Sequence, residues 1–354
     1  MINLFDIVTP ANVAYYYDKS LADQTAYLGD KLFPVKKIAG LELNKVSGSA
    51  GLPVALTESA FDTQATYRDR LSIEIQKSKM PFFREAMKID ETLRQQIVQL
   101  SNDTVAKTYI SQIFDDTNNL IRGAKVARER MAMELISTGK VNLNGNGVHL
   151  EYDYHLNKKQ FTKASIKWTN SATANPIQDI ADMVDQFNRD FRVKLKYAVM
   201  TTATFNLIKS AESTRKALYP TATDVKSIFV VPAQVKELVA NATGVTILTY
   251  DEVYAKEVGG IAHPLFPDNV VTFLPAGGIL GNMCMGTTPE ELDLLTNPKF
   301  ASNTRIVDTG VAVFTNFIPH PVNVETIVSQ IALPSFGADV SGGAGSILIA
   351  NVDK

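Results

Sequence analysis

SAFDTQATYRDRLSIEIQKSKMPFFREAMKIDE, residues 59–91, is the stretch on which the reading of this chain turns. Within it Leu71, Ile73 and Ile75 alternate with Ser72, Glu74 and Gln76, the period of a strand with one apolar face. A two-stranded hairpin is marginal in water on its own, and no compact hydrophobic unit flanks this block to enclose it. The block is therefore expected to finish its packing on a neighbouring subunit, which makes it an arm and makes assembly the protein's business. Tyr67, Arg68, Asp69 and Arg70, with Lys77, Lys79, Arg84 and Glu85, interleave both signs of charge in the same outward-reaching segment. Charges at the rim of an interface set register and partner choice more than affinity, although a solvated surface accounts equally well for any single one. The subunit-contact candidates are Arg68, Arg70, Leu71, Ile73, Ile75, Arg84 and Glu85.

The totals bound the answer. A chain of 354 residues has room for two or three domains, and 45% hydrophobic with 20% charged residues is an ordinary globular balance. A formal net charge of -2 excludes the basic footprint that tight, sequence-indifferent nucleic-acid binding requires. The single cysteine, Cys284, excludes an internal disulfide framework and reads as a small core filler. MINLFDIVTP lacks a basic, then apolar, leader pattern, and no window reaches about 18 unbroken apolar residues, so a soluble protein without a secretion signal is expected.

Along the chain, residues 1–32 are mixed and Tyr-rich (Tyr15, Tyr16, Tyr17), as suits an arm lying across something. Lys36 to Val46 and Pro53 to Leu56 read as extended pieces interrupted by the flexible SGSAG turn at Ser47 to Gly51. Phe82 to Gln99 reads as a first helical segment. Thr104 to Thr138 carries the longest helical period, through Ile110, Ile113, Phe114, Leu120, Ile121, Ala124, Ala127, Met131 and Leu135, with Asn102 to Thr104 as cap and Gly139 as stop. Gly123 within it costs about 1 kcal/mol against alanine and is the candidate hinge. After the NGNG turn, Val148, Leu150, Tyr152, Tyr154 and Leu156 alternate with His149, Glu151, Asp153 and His155 as a strand. From Asn175 the rhythm becomes that of a small α/β domain. Strands are expected at Tyr197 to Met200, Ile228 to Val231, Val245 to Tyr250 and Val270 to Leu274, and helices at Thr204 to Ser210, Pro232 to Ala240 and Asp251 to Glu257. Strands close the chain at Ile306 to Thr315, Val324 to Leu333 and, past a Gly-rich stretch at Gly337 to Gly345, Ile347 to Ile349.

No chemistry assembles on this frame. His149, Glu151, Asp153 and His155 are the residue types that hold zinc, but alternate strand positions stand roughly 7 Å apart, so four in a row cannot close a tetrahedron unaided. The glycines at Gly259-Gly260, Gly277-Gly278, Gly281 and Gly342-Gly343 match neither a dinucleotide fingerprint nor a phosphate loop. Cys284 lies in an apolar setting, His263 and His320 stand beside prolines, and no G-x-S-x-G occurs. No catalytic residue, cofactor or metal is expected, and the chain does not read as an enzyme.

These residues resemble the tailed-phage major capsid proteins, the lambda-type family that shares the Hong Kong 97-type capsid fold. The likeness runs through SAFDTQATYRDR (Ser59 to Arg70), KMPFFREAMKIDE (Lys79 to Glu91), FPDNVVTFLPAGGILGNMCMGTTPEE (Phe266 to Glu291) and PHPVNVETIVSQIALPSF (Pro319 to Phe336). It implies an α+β fold with an N-terminal arm over 1–32, an extended loop over 33–81 and a peripheral domain over 82–174 whose spine helix spans about 104–138. An axial α/β domain over 175–304 and a return to the peripheral domain over 305–354 complete it. The implied function is self-assembly into an icosahedral phage head around double-stranded DNA, a virion component assembled in the host cytoplasm. The implied partners are further copies as hexamers and pentamers, a scaffolding protein and portal, a decoration protein on the shell, and packaged DNA through weak non-specific contact, with no membrane. Loop crosslinking is not expected, and no cleavage site for a maturation protease is visible. The rival readings are a soluble α/β enzyme or ligand-binding protein using Pro275 to Cys284, and an encapsulin or prophage relic of the same fold.

Overall fold

A computed structural model describes residues 9–20, 26–48, 73–89, 91, 92, 95, 103–145, 147–222, 224, 227–257, 259–296, 303–320, 322–336 and 347–353. Helices α1 (Pro10–Ser20) and α2 (Leu28–Leu32) precede strands β1 (Val35–Lys37), β2 (Glu42–Gly48), β3 (Ile73–Lys79) and β4 (Phe82–Ile89). The long helix α3 (Asp103–Thr138) follows, then β5 (Lys140–Gly145), β6 (Val148–Asp153) and β7 (Phe161–Lys163). Next come α4 (Pro176–Phe191), β8 (Leu195–Met200), α5 (Thr202–Ser210), α6 (Glu212–Leu218), α7 (Pro232–Thr243) and β9 (Thr246–Thr249). The chain continues through β10 (Val253–Ala255), β11 (Ala262–Pro264), β12 (Val270–Pro275), β13 (Gly281–Met285) and α8 (Pro289–Thr296). It closes with β14 (Thr304–Val307), β15 (Val311–Pro319), β16 (Val322–Phe336) and β17 (Leu348–Asn351).

Helix α3 is the axis about which the rest packs. Its apolar stripe through Ile113, Ile121 and Ala124 widens toward the C-terminal end, where Met131, Ala132, Met133, Leu135 and Ile136 are all buried. A helix apolar on every side must be enclosed on every side, and each such large side chain contributes about 1.5–3 kcal/mol by leaving water. Two sheets do the enclosing. The first runs β1-β13-β16-β15-β14, with β4 also paired to β16, and the Gln330 amide of β16 donates to the Ala124 carbonyl at 2.8 Å. The second runs β7-β17-β12-β8-β9, and the Thr272 hydroxyl of β12 donates to the Ile136 carbonyl at 2.8 Å. Gly139 ends the helix at φ +75°, its N–H donating to Leu135 O at 2.8 Å. Only glycine enters that left-handed position without strain.

The second sheet is covered on both faces, so its strands read as continuous apolar runs. Val199, Leu274, Ile347 and Ile349 face the core around α3. Ala198, Met200, Val271, Phe273, Leu348 and Ala350 face a second core closed by Ile180, Phe187, Val235 and Val239 of α4 and α7, with Trp168 beside them.

Three expectations are corrected. Phe82 to Gln99 begins as strand β4, with Phe82↔Ile331 through Ile89↔Val324 in register on β16. The apolar spacing of FFREAMKI fits a helix locally, but an eight-residue ladder on the long strand β16 fixes the segment as a strand at the edge of the first sheet. Ile228 to Val231 forms no strand, and Phe229 is exposed. Asp251 to Glu257 holds β10, paired antiparallel with β11, in place of a helix. The final strand, β17, pairs antiparallel with β12 and parallel with β7 in the second sheet. Strand β13, inside the 175–304 span, pairs with β1 and β16 of the first. Gly337 to Gly345 and Pro53 to Leu56 lie outside the described residues.

Candidate functional site: the assembly surfaces

Strands β2 and β3 form an antiparallel ribbon from Glu42↔Lys79 to Gly48↔Ile73, and among the described residues neither pairs with any other strand. Its base is cored. Leu43 and Met80 pack with Cys284, Ile331 and Leu333, the Met80 N–H donates to Leu41 O at 2.9 Å, and the Tyr152 hydroxyl reaches Lys79 O at 2.8 Å. Buried Cys284 is thus the small filler its surroundings suggest. Ile73 and Ile75 stand opposite Gly48 and Val46 within the ribbon. Arg68, Arg70 and Leu71 lie outside the described residues.

Arg84 and Glu85 are exposed on β4, which leads away from the ribbon's base. The Arg84 guanidinium pairs with Glu290 and lies 4.7 Å from the centroid of the exposed Phe82 ring. The other Glu290 oxygen accepts from the Ser329 hydroxyl at 2.8 Å, while Glu291 pairs with Lys37 of β1. The adjacent acids therefore tie α8 to the first sheet at two strands, β4 and β1. Between α8 and the sheet runs an open groove of about 260 Å³ over Phe314 and Ile327, with Arg84, Glu290 and Asp293 at its rim. Gly123 lies on an exposed turn of α3, which is continuously helical there, with nothing within 4 Å of an added Cβ.

The described part of the N-terminal arm lies across its own chain. Val13 and Tyr17 of α1 are buried in the core around α3. Tyr16 stacks on Phe114 at 5.4 Å, and its hydroxyl donates to Asp115 at 2.7 Å. Phe229 (80% exposed) and Ile261 (81%) present large apolar side chains to solvent. Sequence reasoning missed them because an apolar run such as IFVV signals burial in any partner, the chain's own or another's.

No group of three or more His, Cys, Asp or Glu able to hold a metal occurs among the described residues. In the row on β6, Glu151 and Asp153 instead flank Lys140 at 2.9 and 3.0 Å. No described helix is long and apolar enough to cross a membrane.

A sequence-family model for phage major capsid protein E matches residues 19–311. The chain belongs to that family. No curated protein sequence matches it. Among solved structures it is similar to a protein of Escherichia coli CFT073 assigned as a prophage capsid protein, at 14% identity over 98% of this chain and 99% of that one, with a TM-score of 0.58. It is also similar to a phage-related protein of Bordetella bronchiseptica RB50, at 12% identity over 97% of both chains, with a TM-score of 0.52. The fold is accordingly the Hong Kong 97-type capsid fold, a mixture of helix and sheet, and a member of this family is a major capsid protein, the structural subunit of a phage head.

Proposed function

We propose that this capsid protein builds an icosahedral shell around double-stranded DNA by lending its β2–β3 ribbon to neighbouring copies. The observation that carries the reading is the ribbon itself, two strands cored at their base that pair with no other strand among the described residues. Two strands alone are marginal, so a second copy is what completes them. Repeated symmetric contacts at slightly varied angles give hexamers, pentamers and closure. Each contact is individually modest and the sum is strong, which lets misplaced subunits leave. A net charge of -2 suits an inner wall that touches DNA weakly and lets it move. A scaffolding protein and portal guide assembly in the host cytoplasm, and the subunit performs no catalysis. Replacing residues 49–72 and the ribbon around them by a short turn should leave a folded subunit that forms no shells in negative-stain micrographs. Shells from that variant, or a wild-type protein that stays monomeric with a bound small molecule under all assembly conditions, would overturn the proposal.

A further inference from the structure

Glu129 is a carboxylic acid at the junction of three parts of the molecule, and it is 2% exposed. It projects from α3. The Gly29 N–H of α2 donates to Oε2 at 2.8 Å and to Oε1 at 3.1 Å, and the Tyr250 hydroxyl, just past β9, donates to Oε1 at 2.6 Å. None of the ion pairs among the described residues includes it. The contact is close enough to dictate sequence, because a Cβ on Gly29 would lie 2.2 Å from Oε2 and 2.9 Å from the Ala132 methyl.

The ionisable groups around it make its charge unwelcome. Asp30 faces it from α2 and Glu252 from beyond β9, both negative. The remaining neighbours are phenols, Tyr27 on the arm side and Tyr250 on the sheet side, and the cation that acts on this group of side chains, Arg122, bears on Tyr27. Burial pushes the Glu129 carboxyl up to about 7, against the Tyr250 and Gly29 hydrogen bonds that favour the ionised form.

We propose that Glu129 is a proton-controlled latch that fastens the arm segment 26–33 and the end of β9 to the long helix in its protonated form and loosens that junction when ionised. The sign follows from linkage. An acid whose value is raised in the closed state stabilises that state most below its ordinary value, and the stabilisation is lost as pH rises through the closed-state value. The latch therefore tightens in acid and slackens above neutrality, and the residues it releases are those joining α1 to the first sheet. This inference concerns the folded subunit alone and does not depend on shell assembly.

Hydrogen exchange of residues 26–33 in the full-length, unassembled protein tests it, with rates corrected for intrinsic pH dependence. With an open-state value of 4.5 and a closed-state value of about 7, protection should fall roughly 30-fold between about pH 5.5 and pH 8. Glu129→Gln should abolish that dependence while other core segments keep theirs. Tyr250→Phe removes a donor to the ionised form and should move the transition to higher pH. Protection that is flat with pH in the wild type, a dependence that survives in Glu129→Gln, or a downward shift in Tyr250→Phe would each overturn the proposal.

Discussion

Arg128 and Asp308 form an ion pair whose two halves are not equivalent, and that asymmetry predicts an order of mutational cost. Arg128 is 2% exposed on α3, and its Nη2 donates to Asp308 Oδ2 at 2.8 Å. Its Nε has no partner among the described residues, so Asp308 supplies nearly all that compensates this buried charge. Asp308 sits in the turn between β14 and β15 at φ +53°, its side chain 29% exposed, and can fall back on water. Asp308→Ala should strand the guanidinium and cost about 3–5 kcal/mol. Asp308→Asn keeps an acceptor and the tolerance for that backbone but gives up the opposing charge, and should cost about 1–2 kcal/mol, the difference between a charged and a neutral acceptor. Arg128→Met removes the buried charge, fills the space beside Met285 with apolar atoms, and should cost least. Burial alone would raise the Asp308 carboxyl, but the Arg128 hydrogen bond and charge outweigh it and hold it below the usual range. The pair's contribution is therefore intact above about pH 4, the ordinary aspartate value, and lost only as pH falls through the lower folded value. Equilibrium urea unfolding of the unassembled subunit, followed by circular dichroism at pH 7 and pH 3, measures both. A larger loss from Arg128→Met than from Asp308→Ala at pH 7 would refute the reasoning.

Two further substitutions probe the helix from opposite sides. Gly29→Ala forces its methyl into the Glu129 carboxylate and the Ala132 side chain. It should destabilise the subunit by about 1–3 kcal/mol, as overpacking does, and hasten proteolysis of the segment before β1; wild-type resistance would show that the contact yields freely. Gly123→Ala meets open space and should stabilise the helix by about 1 kcal/mol, while slowing the expansion of assembled particles if Gly123 bends. Unchanged expansion kinetics, read by time-resolved scattering, would remove Gly123 from the argument.

What could be read from the sequence was what repeats locally. Helix α3 was legible because its apolar residues recur over many turns and Gly139 stops it, and β6 because side chains alternate after a glycine turn. Strand β4 was not, since FFREAMKI fits both periods and only its ladder on β16 decides between them. The junctions were beyond local reading altogether. Glu129 meets Gly29 and Tyr250 across 100 and 121 residues, and Arg128 meets Asp308 across 180. Their one trace is a charged pair, Arg128-Glu129, set at the start of the run MAMELI where the helix turns apolar on every side. Of the contact candidates, Arg84 and Glu85 are exposed on a strand, and Arg84 is engaged with Glu290 of its own chain.

Strand β17 is made after every other member of its sheet, yet it sits between β7 and β12. Until residues 348–351 have been synthesised, those two strands are unjoined edges and Trp168 lacks part of its surroundings. Closing so long a loop is slow compared with forming α3. A chain cut short of these residues lacks the insert that seals the sheet, so the second layer of the subunit is sealed only once this late segment has arrived.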